Sequence, residues 1–259
     1  MLFFLLIIGC DTIGMLISQF LPALQAAREA KRRVQCVENL KQIGLAMQGY
    51  HQQYGCFPPA FIPDKNGKPM HSWRVLMLPF LEQDALYHQY RFDEPWNGPH
   101  NKALADHMPS VYRCPSSDPT PDPSQTSYAM IVGPHAISDG PTPHRMSDIK
   151  DGASNTIMVA EAAKAAINWA EAASTGINWM EPRDLNAENM DFCTRAVEKD
   201  LRRETCEIFR NHNVAANVLF CDGSVRTLSN ELLYPKELEA LMTIDGGERV
   251  RGEEDRTAR

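Results

Sequence analysis

Residues 1–54 read MLFFLLIIGCDTIGMLISQFLPALQAAREAKRRVQCVENLKQIGLAMQGYHQQY, and this stretch decides the fold. Residues 1–24 are almost entirely apolar, and Asp11 is their one acidic residue. A helix that spans a bilayer needs about 20 mainly apolar residues, and one carboxylate costs about 3 kcal/mol, which the surrounding leucine, isoleucine and phenylalanine residues offset. We therefore predict a transmembrane anchor at residues 1–24.

Two other interpretations of the anchor segment stay open. It can be a helix buried in the core of a globular protein. It can also be a lipoprotein signal, because Ile7-Ile8-Gly9-Cys10 has the shape of a lipobox. Against the signal, nothing basic precedes this motif and the apolar region before it is very short.

The helix is expected to continue beyond the bilayer, through residues 25–56. This segment is rich in good helix formers and has no proline. Steps of four and three residues place one apolar stripe along it: Cys36, Leu40, Ile43, Met47, Tyr50 and Tyr54. Gly55 and Pro58-Pro59 are typical of a helix end. We predict an amphipathic continuation of the anchor helix.

Composition excludes one class of function and leaves the disulfides open. The chain has 259 residues and a formal net charge of -7, without the basic face that a nucleic-acid-binding protein needs. Its seven cysteines include no C-x-x-C pair. Cys193 and Cys206 flank a polar stretch and are candidates for a small disulfide-closed loop in an oxidising compartment.

Residues 57–245 are predicted to form an α+β domain, followed by a charged, flexible tail at 246–259. We expect a buried helix from Trp73 that stops near Pro79, strands at 126–132 and 156–160, and a helix at 235–242. The strongest local signal is the pair of β-rich runs joined by Asp222-Gly223, which predicts a type I′ hairpin turn. The flanking Val218, Phe220 and Val225 are expected to face the apolar stripe of the first helix.

No sequence motif indicates a catalytic or cofactor site. There is no H-E-x-x-H, G-x-S-x-G or phosphate-binding loop motif. A hairpin can bring His212 near Asp222, but we interpret His212 as a structural hydrogen-bonding residue and Asp222-Gly223 as a turn. A metal site at His212 and Asp222 remains an alternative. Calcium at Asp118 and Asp122 is a weaker one, because the EF-hand spacing is missing. We predict no catalytic residue, no cofactor and no metal.

Several motifs, in order along most of the chain, resemble a large planctomycete-type prepilin-like family that has no assigned biochemical activity. The first group lies on the helix and just after it: Pro22–Ala30, Cys36–Met47, Tyr50-His51 and Tyr54–Pro59. The second group is spread over the domain: Ser72–Gln83, Glu94–Asn97, Tyr112–Ser116 and Asp148–Ile157. The set closes with the family's His-x9-Asp-Gly signature, formed by His212, Asp222 and Gly223.

The resemblance implies a pilin-like α+β fold, in which a long N-terminal helix, membrane-embedded in its first half, packs on a small antiparallel β-sheet domain. It implies a single-pass cell-membrane protein with its globular domain outside the cytoplasm. The implied function is structural and not enzymatic: a subunit of a type IV pilus or type II secretion-like assembly, contacting the bilayer and like subunits through the helix. The alternative is a membrane-tethered module that binds a glycan, protein or ion without assembling.

Two departures from the family bear on processing and assembly. The usual basic leader is absent, and Leu5 stands where members carry a glutamate. Arg28, Lys31, Arg32 and Arg33 follow the anchor, and by the positive-inside rule they favour a cytoplasmic domain. We expect translation to start upstream and to add basic residues that restore the outward orientation.

Overall fold

One helix, α1 (Leu2–Tyr54), dominates the computed structural model of the chain. The structure describes residues 2–116, 122–161, 177–187, 215–229 and 235–247, without the side chains of 2–20. α1 contains Pro22 and runs for 53 residues. It ends where Gly55 adopts a positive φ of 75° and donates its N–H to the carbonyl of His51 at 2.8 Å. The prediction of one continuous helix is confirmed.

The domain follows as short helices and strands. Its helices are α2 (Trp73–Leu76), α3 (Asp84–Gln89), α4 (Pro99–Lys102) and α5 (Pro235–Ala240). Its strands are β1 (Phe61–Pro63), β2 (Pro69–Ser72), β3 (Tyr128–Val132), β4 (Ser138–Asp139), β5 (Thr142–Pro143), β6 (Ile157–Glu161), β7 (Leu185–Asn186), β8 (Ala215–Phe220) and β9 (Val225–Ser229). Single 3-10 turns occupy Leu78–Leu81, Ala105–His107, Ser110–Tyr112 and Met146–Asp148. The predicted strands, hairpin and two helices therefore exist, within a few residues of their expected bounds.

The main sheet is mixed, so the prediction of an antiparallel sheet is wrong in part. Its seven strands run in the order β5-β4-β3-β6-β8-β9, with β7 also beside β3. The β3–β6, β6–β8 and β8–β9 pairs are antiparallel, but β3 pairs in parallel with both β4 and β7. β7 lies more than 50 residues after β3 in sequence, and no local turn signal indicates the direction of such a pairing.

The sheet has an apolar core on each face. Tyr128, Met130 and Leu219 belong to the cluster that contains the buried stripe of α1. Ala129, Ile131, Val218 and Phe220 belong to the other cluster, with Leu238 of α5 and the residues just after that helix. The expectation that Val218 and Phe220 face α1 is therefore wrong, because successive strand residues point to opposite faces. Leu219, between them, packs on the helix side.

Candidate functional site

The C-terminal part of α1 packs tightly against the sheet. Cys36, Leu40, Ile43 and Met47 are fully buried, as the predicted stripe requires, whereas Tyr54 remains exposed. A Cβ on Gly44 would lie 2.8 Å from Cδ1 of Leu219, closer than real contacts allow. Glycine at this position therefore lets α1 approach β8.

A polar contact fixes the helix against the β8–β9 hairpin. Gln48 donates its side-chain N–H to the carbonyl of Cys221 at 2.8 Å. On the other side of the hairpin loop, the backbone N–H of Cys221 donates to Thr156 at 2.9 Å and that of Asp222 donates to Ala153 at 3.0 Å. The loop is thus held between α1 and the segment before β6.

A disulfide between Cys36 and Cys114 links α1 covalently to the domain. Beside it, the amide nitrogen of Asn39 donates to the carbonyl of Arg113 at 2.8 Å. The sequence did not predict this disulfide, although both cysteines lie in the family motifs. With seven cysteines and no paired spacing, nothing local distinguishes this pair. The predicted Cys193–Cys206 pair lies outside the described residues.

N-terminal to Cys36, α1 leaves the domain. Leu21, Leu24 and Val34 are 54%, 52% and 69% exposed. Glu29 still contacts the domain, because its carboxylate accepts a hydrogen bond from the Ser116 hydroxyl at 3.0 Å. The structure therefore divides α1 into a projecting part, before Cys36, and a docked part, from Cys36 to Tyr54.

A search for membrane spans in the described part of the chain finds no helix that is both long and apolar enough to cross a bilayer. The predicted anchor at residues 1–24 lies almost wholly where side chains are not described.

The Asp222-Gly223 turn is not the predicted type I′ turn. That type needs a positive φ at both central residues, but among the described non-glycine residues Glu82 is the one with positive φ, while Gly223 has φ of 86°. Gly223 N–H donates to Phe220 at 2.9 Å, and Phe220 N–H donates to Ser224 at 2.9 Å. This is the pattern of a longer loop with a glycine bulge, because Cys221 and Ser224 are not part of the strands.

Asp222 stabilises this loop locally. Its Oδ1 accepts the backbone N–H of Ser224 at 2.8 Å, and the residue is exposed. His212 lies outside the described residues, so the structure gives no distance between it and Asp222. Gly223 lies close to the docked part of α1, since a Cβ on Gly44 would be 3.6 Å from its carbonyl oxygen.

A buried ion pair joins Arg74, which lies in the Ser72–Gln83 motif, to Asp184. Arg74 Nη2 lies 2.7 Å from Asp184 Oδ1, and both side chains are almost fully buried. The same oxygen accepts the Trp73 indole N–H at 3.1 Å and the Met130 backbone N–H at 2.9 Å. Burial raises the pKa of Asp184, against the opposing effects of Arg74 and these hydrogen bonds.

The partners of Arg74 show that this network is a scaffold. Arg74 also donates to the carbonyl of Tyr128 from Nε and Nη2, at 3.1 and 2.8 Å. Every one of these contacts joins segments that are distant in sequence, and Trp73 and Arg74 are fully buried. Separating α2 from β3 and β7 would break the buried pair of Arg74 and Asp184 and leave an uncompensated charge in the core. The network therefore fixes α2 to these strands.

Possible metal ligands in the described part of the chain amount to one group, Cys36, Cys114 and Glu161. The two cysteines are joined in a disulfide, so neither offers a thiolate to a metal. Glu161 accepts hydrogen bonds from the backbone and side chain of Asn217 at 2.9 and 3.1 Å. Asp118, a candidate calcium ligand, lies outside the described residues. Oδ1 of Asp122 accepts hydrogen bonds from the backbone N–H and the hydroxyl of Ser124, at 2.8 and 2.6 Å.

Aromatic rings gather at the other end of α1 from the projecting part. The ring centroids of Tyr50 and Tyr54 lie 4.4 Å apart, and those of Tyr87 and Phe92 lie 5.6 Å apart. Tyr54 and Phe92 are 56% and 37% exposed. Burial, together with the smaller effects of Cys56, Tyr54 and Tyr87, raises the pKa of Tyr50 to about 12, so its hydroxyl stays neutral at physiological pH. Tyr54 and Phe92 thus form a partly exposed aromatic surface on the domain.

Comparison with known proteins assigns the family but no activity. No curated protein and no solved structure matches the chain. Residues 25–143 and 122–232 match the family described as protein of unknown function DUF1559. Together these segments include the docked part of α1, the buried pair Arg74 and Asp184, and the Asp222-Gly223 turn. The chain therefore belongs to the DUF1559 family of proteins of unknown function.

Proposed function

We propose that this protein is a membrane-anchored, pilin-like structural component of the cell envelope. Its α1 helix serves as the anchor at residues 1–24 and the α+β domain lies outside the cytoplasm. In this proposal the protein has no enzymatic activity. It is a subunit of a type IV pilus or type II secretion-like assembly, in contact with like subunits through the helix.

The single observation that carries the proposal is the two-part helix. α1 is one uninterrupted helix of 53 residues, docked in its C-terminal part and exposed where it leaves the domain. An isolated helix gains little stability in water, so a projecting helix needs another environment around it. The apolar sequence of residues 1–24 suits the interior of a bilayer.

The disulfide supports the location of the domain. Cys36–Cys114 joins the helix to the domain where the two separate. Disulfides persist mainly outside the reducing cytoplasm. This agrees with an outward-facing domain and disagrees with the orientation that the basic residues after the anchor favour under the positive-inside rule.

Fractionation tests the anchor. The full-length protein should remain with membranes after an alkaline wash and should need detergent for release, whereas a chain starting near Ala27 should be soluble. Full-length protein in the wash supernatant would refute the anchor. Protease added to intact spheroplasts tests the orientation, and protection of the domain would place it in the cytoplasm.

A second candidate is the tethered binding module, which the aromatic surface around Tyr54 and Phe92 favours. Aromatic side chains with a polar edge are common where proteins contact ligands. Leu5, in place of the glutamate of assembling pilins, points the same way. Sedimentation of the native protein separates the two functions: filaments support the structural subunit, and a detergent-extracted monomer supports the binding module.

A further inference from the structure

The projecting part of α1 carries a cluster of positive charge immediately after its apolar sequence. We call Arg28, Lys31, Arg32 and Arg33 the basic cluster; all four are exposed. Arg28 lies four residues after Leu24, a distance of about 6 Å along the axis at the usual helical rise. The cluster therefore begins about one helical turn after the last residue of the proposed anchor.

The charge of this segment is opposite to that of the whole chain. Residues 25–35 contain the four basic residues and one acid, Glu29, so their net charge is +3 (4 − 1), whereas the whole chain carries -7. Arg32 and Arg33 lie 2.8 and 3.5 Å from Glu29. Arg28 and Lys31 form no ion pair with any residue that the structure describes. The described part of the domain supplies no ion pair to Arg28 or Lys31, so it leaves their charge unneutralised.

The domain itself reaches the same level of the helix. Ser116 contacts Glu29, and the disulfide lies seven residues further along α1. A bilayer that ends near Leu24 would therefore meet the base of the domain and the basic cluster together. Long basic side chains at such a boundary direct their charged ends toward the headgroups.

We propose that the basic cluster binds the phosphate headgroups of anionic phospholipids in the leaflet that faces the domain. The binding rests on the proposed function, since the cluster meets headgroups only if residues 1–24 are in the bilayer. It gives an acidic protein a local positive contact with a negatively charged surface. Each basic residue raises the association constant with that surface about fivefold. The contact positions the domain on the membrane surface and is weakened by salt.

The test uses full-length protein reconstituted into vesicles of equal parts phosphatidylglycerol and phosphatidylcholine. Spin-labelled versions of the two lipids report how strongly each is retained at the protein surface. The wild type should select phosphatidylglycerol severalfold at low salt and lose the selectivity at about 1 M salt, where the screening length is about 3 Å. Replacing all four residues of the basic cluster with glutamine should bring the ratio close to one.

The matched control replaces four exposed lysines elsewhere with glutamine and so changes the net charge equally: Lys41, Lys65, Lys68 and Lys102. It should keep the wild-type selectivity. Equal loss in both variants, or no selectivity in the wild type, would overturn the headgroup proposal and leave the anchor intact. Unchanged lipid selectivity in the variant with four glutamines would also overturn the headgroup proposal, because the selectivity would then come from other residues. Failure of the wild type to float with the vesicles at all would overturn the anchor and this proposal together.

Discussion

The projecting and docked parts of α1 belong to one helix but differ in burial and in their contacts with the domain. In the docked part, four side chains of the stripe are fully buried, and a disulfide and a glycine contact hold the backbone to the sheet. In the projecting part, Leu24 and Val34 lie exposed, and Glu29 accepts a hydrogen bond from Ser116 of the domain. Because the two parts of α1 have different surroundings, substitutions in the docked part should change the stability of the domain, whereas those in the projecting part should change the interaction with the membrane.

The largest expected effect comes from removing the disulfide. Cys36→Ser combined with Cys114→Ser should lower the free energy of unfolding of the domain by about 4 kcal/mol, because the bond closes a 78-residue separation. Urea unfolding of a chain starting near Ala27, followed by circular dichroism, measures this. Cys56→Ser, which removes a free thiol, should leave stability unchanged. A double variant as stable as the wild type would show that packing alone holds the docked part.

The second-largest expected effect distinguishes a buried leucine of the docked part from an exposed one. Leu40→Ala should cost about 3 kcal/mol, because it leaves a cavity in the core between α1 and the sheet. Leu45→Ala, on the same helix but 74% exposed, should cost less than about 0.5 kcal/mol. The same urea experiment applies. Similar losses for both would contradict the docked arrangement of the helix.

The hairpin loop that α1 contacts should respond through its backbone. Gly223→Val should lower the free energy of unfolding by about 2 kcal/mol, because φ of 86° strains a β-branched residue. The strain is in the backbone alone, since no neighbouring atom lies within 4 Å of the position of an added Cβ. Asp222→Asn should be nearly silent, since asparagine can accept the same hydrogen bond from Ser224. Thermal unfolding with and without EDTA compares the two variants. A melting temperature that falls on adding EDTA to the wild type, and not to Asp222→Asn, would indicate a metal at Asp222.

The smallest effect tests the close approach of helix and sheet. Gly44→Ala should cost about 1 kcal/mol net, because overpacking against Leu219 outweighs the roughly 1 kcal/mol that alanine gains in helix propensity. In a Leu219→Ala background the same change should become neutral or stabilising. Denaturant unfolding of the four members of this cycle gives the coupling energy. A coupling near zero would mean that Gly44 has no packing role.

The sequence predicted what depends on local pattern. Steps of three and four residues identified the stripe from Cys36 to Met47, because helical periodicity requires no knowledge of the partner. The β-rich runs around Asp222-Gly223 identified the hairpin in the same way. The type of its turn was not predictable, since the bulge at Gly223 reflects how the loop fits between α1 and the segment around Thr156. The motifs of the resemblance run along most of the chain, and the match to a family of unknown function covers the same region. The prepilin-like character and the His-x9-Asp-Gly signature stay predictions.

By itself, the sequence determined the long helix, its apolar N-terminal part, its amphipathic continuation and the position of the hairpin, because each is encoded by residues within a few turns of one another. Only the tertiary structure decided which cysteines pair, that Arg74 meets Asp184, and that β3 has parallel neighbours. These contacts join residues 78 and 110 positions apart in the first two cases. Over such separations no periodicity or turn chemistry links the partners, and they meet only because packing of the whole core brings their segments together.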